Sequence, residues 1–272
     1  MRDSERSTES TSDEQAELLA RRAGSFGAAA AAYAEHRPDY PADAIRWALR
    51  PLGGIGHPEV LDLGAGTGKL TEGLLALEAR VVAVEPDEGM RAEFARRFRE
   101  TPIFPGTAES VPLPDNSVHA VVAGQAFHWF DPVRAFPEIA RVLRPGGVFA
   151  AFWNTPDDSV TWVRELGRIS RSNVSLPAMT PDTLPAHPLF ERFERTEFPH
   201  VQRRTVESLV ATIGTHSHTL VIDAGERTEL LARITEFLRL RPETAAGDFD
   251  VPLRTRVIRA VGARPRSSAS QS

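Results

Sequence analysis

The chain has 272 residues, 41% of them hydrophobic, so it can bury one large core, alone or with an appended lid. It contains no cysteine, which excludes disulfides, iron–sulfur clusters, thiolate metal sites and a cysteine nucleophile. A formal net charge of −5, no apolar run near the ~20 residues that span a bilayer, and a start, MRDSERSTESTSDEQ, without an apolar signal stretch argue for a cytoplasmic protein with neither a nucleic-acid nor a membrane partner.

In chain order, residues 1–15 are rich in Ser, Thr, Glu and Asp and read as a disordered tail. Residues 16–58 read as an N-terminal helical cover. Between residues 59 and 154 short apolar runs alternate with helical patterns, as in a parallel sheet with crossover helices. The strands expected are EVLDL (59–63), RVVAVE (80–85), PIFPGTA (102–108), SVHAVVAG (117–124) and GVFAAFWN (147–154). The helices are GKLTEGLLAL, DEGMRAEFARRFRE and DPVRAFPEIARVL, the last stopped by RPGG. Residues 155–262 are helix-rich, with SVTWVRELGRIS and GERTELLARITEFLRL. The alternating FDVPLRTRVIRA then reads as an added antiparallel strand at the sheet edge, with ERTEFPHVQRRT as its partner. Residues 263–272 form a second tail expected to be disordered.

The stretch VLDLGAGTGKL (60–70) is an apolar strand that ends in glycines and opens a helix. A phosphate-binding loop needs G-x-x-x-x-G-K-[ST]. Counting back from Gly68 puts Leu63 at the first glycine, and Leu70 stands where a hydroxyl would hold magnesium. A dinucleotide fingerprint needs G-x-G-x-x-G, and from Gly64 and Gly66 its third glycine falls on Lys69. The pattern that fits is acid-x-G-x-G-x-G, with Asp62, Gly64, Gly66 and Gly68. Such glycines let the backbone approach a ligand and take positive φ. A plain tight turn is the competing reading, disfavoured by the strand and helix on either side. Lys69 is the one lysine among 32 basic residues. A cation at a helix start opposes the dipole, so either its stem covers the loop or it has a specific local role.

With this loop, the stretches VVAVEPDEGM, GTAESVPLPDNSVHAVV and ARVLRPGGVFAAF follow in order. Together, across residues 59–154, they resemble the class I S-adenosylmethionine-dependent methyltransferases of the type 11-like group. The resemblance implies an α/β fold: a Rossmann-like seven-stranded sheet, mostly parallel with an antiparallel edge strand, with helices on both faces and helical lid elements. Residues 59–154 become the cofactor-binding core, and residues 155–262 complete the sheet and the acceptor pocket. The implied cofactor is S-adenosyl-L-methionine and its product S-adenosyl-L-homocysteine. The resemblance puts Asp62, Gly64, Ala65, Gly66 and Gly68 at the amino-acid end of the cofactor and Glu85 at the ribose hydroxyls. It puts Pro86 and Met90 around the adenine, with Thr107, Ala108 and Glu109 along its edge, where Thr107 replaces the acid that many relatives carry.

The segment FGAAAAAYAEHRPDYP (26–41) resembles the entry segment of a subgroup that includes trans-aconitate methyltransferase-like enzymes, in which a Y-x-x-x-R-P element lies over the cofactor. Tyr33 and Arg37 match it, four residues apart on one helical face, and a planar guanidinium suits the cofactor carboxylate. The alternative is a surface arginine beside a proline.

GQAFHWF (124–130) follows the fourth expected strand, and in an open α/β sheet the crevice lies beyond the carboxyl ends of the strands. Gln125 is expected on the cofactor side, His128 and Trp129 on the substrate side, and Phe127 toward the core. His128 is the candidate general base or acceptor-orienting group, since imidazole titrates near neutrality; a histidine that fixes the turn before DPVRAF is the competing reading. His36 is a second candidate on the substrate side. THSHTL (215–220), with His216 and His218, offers too few ligands for a metal and reads as a helix end or lid. No metal is expected.

The expected activity is methyl transfer to an oxygen or nitrogen of a small-molecule acceptor, a carboxylate included. The alternatives are a non-catalytic S-adenosylmethionine-binding regulatory protein and an RNA methyltransferase. Against the last stand the pI near 5.9 and the lack of an Asn/Asp-Pro-Pro-aromatic motif after the fourth strand.

Overall fold

A computed structural model describes residues 34, 37–171, 184, 187–216, 219 and 222–263. The tails expected to be disordered, apart from Ala263, and the first part of the helical cover lie outside these residues. Strands β1 (Glu59–Leu63), β2 (Arg80–Val84), β3 (Ile103–Phe104), β4 (Val118–Gly124) and β5 (Leu143–Pro156) run parallel. Two long strands, β6 (Glu194–Arg204) and β7 (Phe249–Val261), complete a seven-stranded sheet in the order β3-β2-β1-β4-β5-β7-β6.

Helices cover both faces of this sheet, which is why its central strands are mostly apolar and lack the alternation of a half-exposed sheet, with Asp62 of β1 a buried polar exception. On one face α1 (Ala42–Leu49) and α2 (Lys69–Ala76) press Ile45, Leu70 and Leu74 onto Val60, Val122, Phe152 and Val257. On the other, α4 (Pro132–Val142) packs Phe136, Ile139 and Val142 against Leu61, Val121, Phe149 and Ala151. Between them in sequence lies α3 (Glu88–Arg97). The sequence marks these starts: Asp87 accepts from the Met90 N–H, Asp131 accepts from the Val133 N–H, and Pro132 fills the first helical position of α4. A third apolar cluster joins α5 (Thr161–Ile169), α6 (Val206–Gly214) and α7 (Ala224–Arg239) to Phe249, Val251 and Leu253 at the start of β7.

Two strand boundaries and one strand position differ from the sequence reading. The expected strand 102–108 shrinks to Ile103–Phe104, since Pro105 has no N–H to give to a ladder. β5 starts earlier than GVFAAFWN. Leu143 pairs with Val118, but Ala120 pairs with Val148, so the RPGG residues bulge out between them, with Gly146 at φ +78°. The added antiparallel strand is β7, and it takes the inner place, with its partner β6 outermost. β6 carries Glu194, Arg195, Glu197, Pro199, Arg203 and Arg204, a charged and proline-interrupted sequence that discourages another strand from adding to the edge. No helix among the described residues is long and apolar enough to cross a membrane.

Candidate functional site

The parallel order sets the carboxyl ends of β1, β2 and β4 side by side, with Asp62 in register with Ala83 and Val122. The loop after β1 is stitched to β2: Gly64 and Ala65 donate their N–H groups to the Val84 carbonyl at 2.8 and 3.1 Å, and Gly66 donates to Glu85 Oε2 at 2.9 Å. Gly64, Gly66 and Gly68 all take positive φ, but they do different things. A Cβ on Gly64 would stand 2.7 Å from Ala126 Cβ, and one on Gly68 would stand 2.3 Å from the Phe98 ring. One on Gly66 would meet nothing within 4 Å among the described residues. Two glycines are therefore required by packing, and the third faces open space.

Asp62 is 1% exposed. Its Oδ2 accepts the Thr71 hydroxyl at 2.6 Å, while Oδ1 is buried without a partner among the described residues. Burial pushes this carboxyl up to about 7, the bonds from Thr71 only partly offsetting it, and the charge of Glu85 adds to the rise. An orphaned buried acceptor is costly unless a further donor meets it. The Thr67 hydroxyl in the same loop is also buried and has no partner among the described residues. Glu85, just beyond β2, accepts from Gly66 through Oε2 and from the Asp87 N–H through Oε1, both at 2.9 Å. Each oxygen keeps a second lone-pair direction. Burial holds its pKa above the ordinary carboxylate range.

Of the residues expected around a ring beyond Glu85, Met90 is buried in the first turn of α3 and Pro86 is exposed. Ala108 is buried, and Thr107 is exposed and bridges to Ser110. Glu109 Oε1 accepts the Asp131 N–H at 2.9 Å, which ties this segment to the start of α4.

At the end of β4, Gln125 takes φ +52°, a left-handed conformation unusual for a side chain with a Cβ. It is held there by its N–H on the Phe152 carbonyl and its Nε2 on the Asn154 carbonyl, both at 2.8 Å. A 3-10 turn, Phe127–Trp129, follows. Phe127 is fully buried among Phe130, Phe136, Phe149 and Trp153 and belongs to the core. His128 and Trp129 are half-buried, their ring centroids 4.8 Å apart. Burial first, and the positive charge of Arg37 second, lower His128 to about 4. At neutral pH its imidazole is uncharged.

The segment from Arg37 to Pro41 crosses the ends of β4 and β5 as a strap. Arg37 Nη2 donates to the Thr215 carbonyl just past α6 at 3.0 Å. Asn154 Nδ2 donates to the carbonyls of Pro38 and Asp39 at 3.3 and 3.1 Å. Lys69 Nζ pairs with Asp39 Oδ1 at 2.8 Å, and Tyr40 meets the Phe152 ring edge-on with centroids 5.7 Å apart. The isolated lysine thus has a specific partner on the strap. Tyr33, His36 and His218 lie outside the described residues. His216 follows the end of α6, as a helix-end reading expects. Among the described residues no group of three or more His, Asp or Glu could hold a metal ion.

Asp62, the glycines, Glu85, Met90, Ala108, Gln125 and His128 are brought to one end of the sheet. Thr71, Asn154 and Asp39 escaped the sequence reading. Thr71 had a faint signal, a hydroxyl in the first turn after the glycines; the others meet their partners only through the fold.

Residues 61–151 match the methyltransferase domain family Methyltransf_11. The chain is 40% identical over 237 residues to the uncharacterized methyltransferase Rv3342 of Mycobacterium tuberculosis, a match covering 87% of this chain and 95% of that one. It is 37% identical over 143 residues to a malonyl-[acyl-carrier protein] O-methyltransferase of Methylococcus capsulatus, covering 46% and 48% of the two chains. A solved structure from Anaeromyxobacter dehalogenans, described as a candidate type II methyltransferase, superposes with a TM-score of 0.55 at 29% identity, covering 84% of this chain and 97% of that one.

Proposed function

The chain belongs to the class I S-adenosylmethionine-dependent methyltransferases, and on that premise we propose that it transfers a methyl group to an oxygen or nitrogen of a small-molecule acceptor, a carboxylate included. The observation that carries the site assignment is the buried, unpartnered Oδ1 of Asp62 in the strand that leads into the open face of Gly66. These two features fit the amino-acid end of S-adenosyl-L-methionine: an acceptor awaiting a donor, and a backbone that nothing blocks.

In this reading Asp62, Gly64, Ala65, Gly66 and Gly68 hold the amino-acid portion, and the remaining lone pairs of Glu85 accept from the ribose hydroxyls. Met90 and Ala108 wall the adenine, with Pro86, Thr107 and Glu109 at its margin. When bound, the cofactor supplies an electrophilic methyl on a sulfonium, open to in-line displacement, with S-adenosyl-L-homocysteine left as product. His128 and Trp129 face it as the acceptor wall, with Gln125 and, from the strap, Arg37 on the cofactor side. A neutral His128 can accept a hydrogen bond from an acceptor O–H or N–H and so aim its lone pair. Its low pKa makes it a weak base, which suits orientation better than proton removal and suits an acceptor that is already ionised. The O-methyltransferase of Methylococcus capsulatus supports oxygen as the acceptor atom. The acidic net charge supports a small molecule over a polyanion.

Calorimetric titration with S-adenosyl-L-methionine, followed by incubation of labelled cofactor with a metabolite extract and with RNA, tests the proposal. Saturable binding and label in a small product are expected. Label in RNA, or binding without any labelled product, would overturn it.

A further inference from the structure

We propose that Asn154 is a positioning residue, whose side-chain amide fastens the strap Arg37–Pro41 across the carboxyl ends of β4 and β5 and thereby keeps the wall facing the glycine loop closed. Its effect on turnover rests on the methyltransferase reading; its effect on the strap does not.

Asn154 stands where three parts of the site meet. Its own carbonyl accepts from Gln125 Nε2 at 2.8 Å and so receives the loop that carries His128. Its Nδ2 donates to two strap carbonyls, those of Pro38 and Asp39. Carbonyls only accept, so the amide can face the strap only with its nitrogen. The orientation is locked from behind by Thr255, a fully buried residue of β7 whose hydroxyl donates to Asn154 Oδ1 at 2.6 Å. His200 of β6 lies behind that hydroxyl, its Nδ1 3.4 Å from Thr255 Oγ. A chain of polar contacts therefore runs from the outermost strand through the sheet to the strap.

Arg37 Nη2 also holds this stretch, at its first residue, through the Thr215 carbonyl at 3.0 Å, and the ion pair further along is weaker. In the Lys69–Asp39 ion pair the Asp39 side chain is 67% exposed, and a pair wetted on one side contributes little. Asn154 is 8% exposed, and its loss would strand two strap carbonyls and the Thr255 hydroxyl. Aspartate at the same position would set an oxygen against both carbonyls. The packing of Tyr40 on Phe152 also keeps the strap near the sheet.

The test uses the full chain with Asn154→Asp, Asn154→Ala and Thr255→Val, and reads hydrogen exchange of the strap without ligand, cofactor Kd, kcat and Tm. Both Asn154 variants are expected to speed strap exchange about tenfold or more and to raise the cofactor Kd about tenfold, with kcat falling less. Thr255→Val, the milder change, should shift both in the same direction by less, and should add nothing in the Asn154→Ala background. A folded variant with wild-type strap exchange overturns the proposal, and so does one with a loose strap and wild-type cofactor Kd. If the Asn154 variants do not fold, Thr255→Val decides by the same two readouts. Failure of the wild-type chain to bind cofactor would sink the functional reading, while strap exchange would still rule on the fastening.

Discussion

Thr71 and Asp62 meet hydroxyl to carboxylate at 2.6 Å, both side chains shut away from solvent at the root of the glycine loop. Asp62 is nevertheless pushed up to about 7, because burial outweighs the hydrogen bonds. The folded chain therefore keeps a proton that the unfolded chain has already released between about pH 4 and about pH 7. This group's contribution to stability is full at the acid end of that window and is lost as the pH rises through 7. A bound ammonium would restore it. Scanning calorimetry should show S-adenosyl-L-homocysteine raising Tm more at about pH 8 than at about pH 6. Asp62→Asn should raise the ligand-free Tm at the higher pH, flatten the difference and weaken ligand binding about tenfold or more. Equal ligand shifts at both pH values in the wild type would contradict the assignment of Asp62.

Gly66 and Gly68 separate binding from folding. Alanine at either pays about 1–2 kcal/mol for the left-handed conformation. At Gly68 the new methyl also runs into Phe98 and Phe94, adding an overpacking cost of about 1–3 kcal/mol. Gly66→Ala should therefore lower Tm by only a few degrees yet abolish measurable cofactor binding, while Gly68→Ala should lower Tm about twice as far. Thermal melts beside titration calorimetry on the two variants check the contrast. Retained affinity in Gly66→Ala would remove the ligand from that opening.

His128, lowered to about 4, should leave no inflection of its own in kcat/KM between about pH 6 and about pH 8. Its ring protons, followed by NMR, should titrate well below the ordinary 6.5, and Arg37→Gln should move the midpoint upward by removing a neighbouring positive charge. His128→Ala should cost about tenfold in kcat as a lost orienting hydrogen bond, where loss of a general base would cost about a hundredfold or more. A midpoint near 6.5 would reinstate the general base.

Lys69 and Asp39 should be coupled by no more than about 1 kcal/mol in a double-mutant cycle on stability. Reversal, Lys69→Asp with Asp39→Lys, keeps the pair and places an acid at the start of α2, where the dipole favours it. It should fold at least as stably as the wild type by urea denaturation, whereas Lys69→Asp alone should not. If the single and double changes are equally stable, the pair contributes nothing.

The parallel part of the sheet was legible because its strands are largely apolar runs separated by helices, two of which start at Asp87 and Asp131 as expected. The glycine loop was legible because acid-x-G-x-G-x-G is a local pattern that backbone geometry enforces. The wall opposite the loop was much less so. Asn154 sits at the end of an expected strand with nothing local to mark its amide, and Thr255, its partner, is about a hundred residues away on a strand whose inner place in the sheet no local pattern revealed. Lys69 stood out by composition, but the identity of its partner required the strap. Phe127 and His128 are neighbours with opposite fates, one in the core and one in the wall, and a short 3-10 turn decides which is which.

The inner position of β7 also governs the order in which the molecule can be finished. Among the described residues β6 pairs only with β7, and until Phe249–Val261 has been synthesised β5 presents an open edge and β6 has no neighbour to join. The parallel part can form while the chain is still emerging, but its exposed flank waits for the last described strand. Newly made chains interrupted before that point would carry a bare, apolar sheet edge and become substrates for chaperones and aggregation.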